Sequence, residues 1–317
     1  MRHPDSQDTG LEGLPAGYSL RRLTLGDVPA VYDLEAAGET FDDGIVEVDL
    51  SDLQADWGRP DFDPASMSVG VFFAGALVAY AQVFQGRAEA LVHPAHRGKG
   101  IGTALARWTW GVAAAEGRDR VGQTVSENEH AAEALFRANG YESTHTSWIL
   151  RVDLEGGAAP PAPSLPAGCH FRPYHPGEDD REIFAVIDTA FDEWRAQGSE
   201  SMGFENWAVW ALHDATPGLI VLVEFEGRVV GAAIGHDYGP EAEGWIEQVA
   251  VEKGHRGKGL GRALLEESFR RFWEIGRRQC GVSTDSRTGA LTLYEHVGMS
   301  VRRSYTRWTK FVSVSTA

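Results

Sequence analysis

The heptapeptide His96-Arg97-Gly98-Lys99-Gly100-Ile101-Gly102 recurs 159 residues later as His255-Arg256-Gly257-Lys258-Gly259-Leu260-Gly261. Each copy follows a β-like run and precedes a segment whose apolar residues recur at helical spacing. A glycine-rich turn that opens a helix leaves backbone N–H groups without intrahelical partners, and the helix dipole adds positive potential there. That combination is an anion site. Two of them in one chain predict an internal duplication and a phosphate-bearing ligand.

Other matches keep the same order. Leu14-Pro15-Ala16-Gly17 returns as Leu165-Pro166-Ala167-Gly168, and Ala134-Leu135-Phe136-Arg137-Ala138-Asn139-Gly140-Tyr141 aligns with Thr292-Leu293-Tyr294-Glu295-His296-Val297-Gly298-Met299. The offset is 151 at the first pair and 159 at the loops, a net insertion of eight residues in the second copy. The run from Gly156 to Ser164 is built from Gly, Ala, Pro and Ser without apolar periodicity, as a linker is. These signals predict a disordered tail over 1–13, an N-terminal domain over 14–152, a linker over 153–164 and a C-terminal domain over 165–317. Each copy reads as strand, helix, β-hairpin, a strand running into the glycine loop, a long helix, a strand, a short helix and a final β region. Several strands with few helices between them predict an α/β fold of the mixed α+β kind, a mixed sheet covered on both faces.

Composition excludes some functions. A net charge of −17 disfavours nucleic acid or an anionic membrane as partner and suits an amine-bearing substrate. The two cysteines, Cys169 and Cys280, form no CxxC, and His236, His255 and His296 lack zinc-ligand spacing, so no disulfide framework and no metal are expected. The longest apolar stretch, Val69–Phe84, is too short to span a bilayer and is broken by a glycine turn, and the N-terminal residues have no signal-peptide character. A cytoplasmic protein, monomer or homodimer, is the expectation.

The loops are not nucleotide P-loops, because GxxxxGK[ST] is absent, and they are not dinucleotide fingerprints, because GxGxxG and its acidic partner are missing. The strand, the Arg-Gly-Lys-Gly-hydrophobe-Gly loop and the following helix resemble the acetyl-CoA-binding motif of the GNAT superfamily of N-acetyltransferases. Leu293-Tyr294-Glu295 with Gly298-Met299 resembles that family's second signature, and the hairpin before the loop also fits. The resemblance covers nearly the whole chain as a tandem pair, an architecture similar to that of the mycothiol synthases within the family. It implies two domains, each a mixed, mostly antiparallel sheet flanked by helices. It also implies acetyl transfer from acetyl-CoA to a primary amine of a small molecule or peptide by direct attack, with a cysteinyl amine as one acceptor. The alternative is a non-catalytic acyl-CoA-binding or assembly module.

The resemblance further assigns residues. The strand around Val249 and Val251 would pair with the pantetheine arm. Arg256, Gly257, Lys258, Gly259 and Gly261 would take the pyrophosphate, and Arg97, Gly98, Lys99, Gly100 and Gly102 repeat that set in the first copy. Glu247, four residues before Val251, stands where the family often places a catalytic carboxylate. Tyr294 matches the tyrosine that gives a proton or hydrogen bond to the CoA sulfur. The first copy departs at both positions. Counting back from the loops puts Ala88 opposite Glu247, with Glu89 one residue over and facing the other side, and Phe136 replaces Tyr294. The second copy is therefore the expected catalyst, although Ser126-Glu127-Asn128-Glu129 in the first is the more family-like turn. Asp188, Phe191, Asp192, Trp194, Trp207 and Trp210 are candidates for the acceptor wall, as carboxylates for an ammonium and aromatics for a cation or apolar body.

Overall fold

The computed structural model describes residues 13–313, apart from 47, 60, 155–158, 194–202, 213–214 and 240–242. Most of the predicted tail, part of the predicted linker and the candidate Trp194 lie outside the described residues. No helix among the described residues is long and apolar enough to cross a membrane.

The chain forms two compact units, one of residues 1–145 with 305–317 and one of 146–304. In the first, strands β1 (Tyr18–Arg21), β2 (Ser68–Phe73), β3 (Ala76–Phe84), β4 (Arg87–Val92) and β5 (Arg120–Ser126) are interleaved with four helices. These are α1 (Val28–Asp42), α2 (Leu50–Trp57), α3 (Pro64–Met67) and α4 (Ile101–Ala115), and α5 (His130–Ala138) follows β5. Strands β1 to β4 pair antiparallel in sequence order, and β4 meets β5 in parallel. The β2–β3 turn places Ala74 and Gly75 at φ 49° and 85°, the double left-handed pair that matches strand twist in a two-residue hairpin.

The repeat then departs from the predicted boundaries. Strand β6 (Glu142–Asp153) closes the first copy in sequence, yet its residues from Thr146 onward belong to the second unit. The second unit continues with β7 (Cys169–Arg172), α6 (Asp180–Asp192), α7 (Phe204–Leu212), β8 (Val221–Phe225), β9 (Arg228–Asp237), β10 (Gly244–Val251), α8 (Leu260–Glu274), β11 (Gln279–Asp285), α9 (Leu291–His296) and β12 (Ser300–Phe311). There β6 pairs antiparallel with β11, Leu150 opposite Val282. In return, Tyr305–Phe311 of β12 pairs antiparallel with β5 in the first unit, Trp308 opposite Gln123. Each unit is thus completed by the last strand of the other repeat, so the units are not coextensive with 14–152 and 165–317. Apart from that exchange, strand order and direction are the same in both units.

Helices α1 and α6 cover one face of their sheets, and α4 and α8 cover the other. On the first face Leu23, Val31, Leu34, Trp57 and Tyr80 form one core, and on the second Val69, Leu105, Trp108 and Val121 form another. Both helices before the sheet start in the same way. Asp27 and Asp179 sit at the helix N-terminus and take a two-pronged hydrogen bond from Arg21 and Arg172 on the first strand of each unit.

The exchange has a measurable consequence. Trp308 is 3 % exposed and packs with Val125, Phe136 and Tyr141 of the first unit. Trp308→Ala is expected to destabilise that unit by about 3–5 kcal/mol, as other large core truncations do. Hydrogen exchange should then show β5 amides deprotected, although the substitution lies near the other end of the chain. Unchanged protection over Arg120–Ser126 would overturn the assignment.

Candidate active site

The site is built on the strand pair that flanks each loop. In the first unit β4 and β5 hold to each other in parallel register only at Arg87 and Gly122. In the second, β10 and β11 pair from Gly244 with Cys280 to Ile246 with Val282, and the pairing stops there. Beyond these points the inner edges of Ala88–Val92 and Glu247–Val251 face an opening, and backbone polar groups on such an edge need another partner. In the first unit that opening is a cavity of about 570 Å³, lined among others by Ala90, Val92, Ala106, Gln123 and Phe136.

At the mouth stands the loop. Gly98 and Gly100 have φ 75° and 83°, and Gly257 and Gly259 have 73° and 89°, values that disfavour a side chain. Among the described residues, no atom beyond each glycine and its chain neighbours lies within 4 Å of where their Cβ atoms would be, so the space above them is open. Gly100 and Gly259 are also the N-caps of α4 and α8, and neither helix has a side-chain cap, which leaves the first amides of each helix available. The third glycine serves another purpose. A Cβ on Gly102 would stand 3.0 Å from Leu135, and one on Gly261 3.1 Å from Leu293, so these two let the following short helix pack close. The donor set and the open space fit a pyrophosphate with an extended arm running into the strand opening.

The loop cations are already engaged. Arg97 Nε donates to the Val92 carbonyl at 3.1 Å while its fork holds Asp42 at 2.7 Å on both prongs. Arg256 repeats this on Val251 at 2.9 Å and Glu193 at 2.9 Å. Lys99 and Lys258 donate to the carbonyls of Ala95 and Gly254. A phosphate at either loop therefore meets amides first and competes with Asp42 or Glu193 for the arginine. The Arg256 hydrogen bond holds the Glu193 carboxyl below the usual carboxylate range. Burial pushes Glu129, on the wall of the first cavity, in the opposite direction.

The two units differ most at the strand. In β10 the register with β9 shifts between Ile246, opposite Gly235, and Gln248, opposite Ile234. Glu247 is the extra residue of a β-bulge, a device that bends the strand and re-aims a side chain. In β4 the register with β3 is unbroken from Arg87 to Val92. Counting by strand partners therefore sets Ala88 against Ile246, both buried, and leaves Glu247 with no counterpart. The sequence alignment of Ala88 with Glu247 is corrected by that one-residue insertion. The Glu247 carboxylate accepts from Trp245 Nε1 at 3.0 Å, and the neighbouring Gln248 accepts from Trp207 Nε1 at 2.8 Å.

Tyr294 lies on α9, 4 % exposed, and burial raises its hydroxyl above the ordinary tyrosine pKa. Phe136 holds the equivalent place on α5 among Val125, Tyr141 and Trp308. Of the acceptor-wall candidates, Trp207 is a core residue beneath α6 and Trp210 is half exposed. His236 is buried and hydrogen-bonded to the Ala211 carbonyl through Nε2.

Several polar residues escaped the sequence reading. Glu35 lies on the inward stripe of α1, in line with Val28, Val31 and Gly38, and accepts a hydrogen bond from the buried Tyr80 hydroxyl. With Asp27 and Asp179 aligned, its counterpart is Ile187 in the apolar core of the second unit. Gln82 donates to Glu89 at 2.6 Å on the adjacent strand pair. Farther along the first unit, the Arg307 guanidinium lies over Gly122, where a Cβ would come within 2.4 Å of it. A charged residue on an apolar helical stripe was the legible signal for Glu35.

A doubled parallel-strand opening above an uncapped glycine loop and helix is the architecture of a tandem N-acetyltransferase. The model of the acetyltransferase (GNAT) family matches residues 28–141 and again 182–299, and the chain belongs to that family. It is 31% identical to the mycothiol acetyltransferase of Amycolatopsis mediterranei over 77% of this chain and 87% of that protein. It is 30% identical to the mycothiol acetyltransferase of Sanguibacter keddieii over 88% and 91%. A GCN5-related N-acetyltransferase from Sphaerobacter thermophilus superposes with a TM-score of 0.78 at 28% identity, over 94% of this chain and 97% of that one. The fold is also that of a tandem GNAT protein from the clavulanic acid biosynthesis pathway, at a TM-score of 0.66 and 18% identity over 93% and 99%.

Burial raises Glu35 from 4.5 to about 7, assisted by the charges of Glu89 and Glu39 and opposed by the Tyr80 hydrogen bond. Below pH 4.5 the carboxyl is protonated folded or unfolded and contributes no difference. Between 4.5 and 7 only the unfolded chain ionises, so stability falls as pH rises, and above 7 the loss is complete. Glu35→Gln is expected to remove that slope. Denaturant unfolding of the wild type should lose about 3 kcal/mol between pH 4.5 and 8 relative to the variant. Parallel curves for the two proteins would show that Glu35 is not held protonated.

Proposed function

We propose that the second unit carries the chemistry, moving an acetyl group from acetyl-CoA to a primary amine of a small molecule, with Glu247 and Tyr294 as its proton-handling pair. The observation that carries this reading is the bulge. It inserts a carboxylate at the point where β10 leaves β11, and the first unit has neither the insertion nor a hydroxyl at Phe136.

Acetyl-CoA brings the electrophilic thioester carbonyl and a thiol that must leave with a proton. Glu247 accepts a proton from the incoming ammonium, directly or through one water, which frees the nitrogen lone pair for attack. Tyr294 keeps its proton through neutral pH because burial disfavours the phenolate; it donates that proton to the sulfur as the C–S bond breaks, and the second proton shed by the nitrogen restores the phenol. The amides of Gly257 to Gly261 hold the pyrophosphate, with Arg256 and Lys258 beside them, and the free edge at Val249 and Val251 aligns the arm. The loop of the first unit, with Arg97, Gly98, Lys99, Gly100 and Gly102, supports a second cradle without that pair.

The acceptor we propose is a cysteinyl amine of the kind a mycothiol precursor carries, on the strength of relatives named mycothiol acetyltransferase. Product should appear by mass spectrometry when acetyl-CoA is mixed with such an amine, and Glu247→Gln should lower kcat about 10²-fold. Tyr294→Phe should lower it by about tenfold or more, with acetyl-CoA affinity preserved in both. Full turnover in the double variant would sink the proton-handling pair. Acetyl-CoA binding without product from any amine in a broad panel would favour a binding module instead.

A further inference from the structure

We propose that Gln123, at the narrow end of the first unit's cavity, donates to the carbonyl of a CoA thioester bound there, so this unit distinguishes acetyl-CoA from free CoA. The proposal rests on the reading of the glycine loops as CoA cradles and assigns the first of them a specificity residue.

Gln123 is the fourth residue of β5, one past the Gly122 that pairs with Arg87 where β4 and β5 part. It stands at the narrow end of the opening, where the reactive end of an extended ligand anchored at the loop arrives. The residue is 5 % exposed, it lines the cavity, and its Nε2 has no hydrogen-bond partner among the described residues. The alternation Val121, Gln123, Val125 puts it on the inward face between two apolar residues, and its cross-strand neighbour Trp308 offers no acceptor. An unsatisfied buried amide is costly to fold unless something accepts from it. The equivalent strand position in the second unit is Val282, 2 % exposed and without polar atoms in its side chain.

The surroundings favour retention over transfer. No carboxylate is inserted in β4, and Phe136 on the cavity wall has no proton to give a leaving sulfur. A donor aimed at a carbonyl, at a narrow end that lacks counterparts of Glu247 and Tyr294, holds an acyl thioester in its ground state. Free CoA has a thiol in place of the carbonyl at that point and leaves Gln123 unsatisfied.

The test uses the full chain with the second cradle disabled by Gly259→Val, which puts a β-branched residue at φ 89°. Isothermal titration with acetyl-CoA and with CoA then reports on the first unit alone. One remaining site is expected, binding acetyl-CoA about fivefold more tightly than CoA, the ratio worth one neutral hydrogen bond. Adding Gln123→Val should erase the ratio by weakening acetyl-CoA only, and Gln123→Leu, closer in volume, serves if the valine variant fails to fold. Absence of any site in the Gly259→Val protein, or an undiminished ratio without the Gln123 amide, would overturn the proposal. A buried water as the sole partner of Gln123 would give that second result. These titrations read binding, so they stand apart from failure of the Glu247 and Tyr294 mechanism, which would show as undiminished product.

Discussion

Two parallel strands that begin paired and then separate impose a requirement on everything around them. Each residue beyond the last shared hydrogen bond exposes N–H and C=O groups that cannot be left dry. Within one unit the α helices cannot supply partners, because their own backbone groups are used internally. Only an extended chain with amides of its own can pair along the free edge, as a strand would in β-augmentation. The glycine loop at the mouth then determines what else that chain must carry. Its amides and the uncapped start of α4 or α8 ask for negative charge, and the open space over Gly98, Gly100, Gly257 and Gly259 gives it room. A phosphate joined to a peptide-like arm satisfies both demands at once.

Duplication keeps that frame and frees the residues at its narrow end to change. At one end of each opening, Arg97 and Arg256 make the same hydrogen bond to the strand carbonyl and the same kind of ion pair to the end of the preceding helix. At the other end nothing matches. The second unit has a bulged glutamate, a valine and a tyrosine at Glu247, Val282 and Tyr294. The first has a regular strand, Gln123 and Phe136. The polar residues have also moved: Glu35, Tyr80, Gln82 and Glu89 occupy the α1 face of the first sheet, where the second has Ile187, Ala232, Ile234 and Gln248. Residues that hold the cradle are constrained by the loop geometry, while residues at the narrow end are constrained only by what each unit does there.

The loops, hairpins and long helices were legible because each is specified by residues close in sequence. A glycine at positive φ, a two-residue turn or a 3.6-residue apolar stripe needs no knowledge of a distant partner. The candidate site was legible as far as the loop and the identities Glu247 and Tyr294. It was not legible in the bulge, because two residues facing one becomes visible only against the register of β9. Counting back from the loop therefore aligned Glu247 with Ala88, which faces Val83 in an unbroken ladder. Gln123 left a trace, a polar residue at an inward position of an alternating strand, but its significance depends on the absence of a partner.

The exchange of last strands left no trace at all, for a physical reason. Strands β6 and β12 close their repeats at equivalent points, are both twelve residues long, and have the same run of burial along their length. Antiparallel pairing beside β5 or β11 asks only for an apolar inward face, and both strands offer one: Leu150 meets Val282, and Trp308 covers Phe136. With two near-identical docking edges available, local pattern cannot choose between a repeat's own last strand and its neighbour's. What distinguishes them is fit inside each core. Trp308 fills space around Phe136 and Tyr141 in the first unit, while the smaller Leu150 lies with Phe269, Phe272 and Tyr294 in the second. The strand that closes the catalytic candidate's core is therefore encoded in the first repeat, and the one that backs Gln123 is encoded in the second. Each unit's site therefore draws on residues from both halves of the duplication.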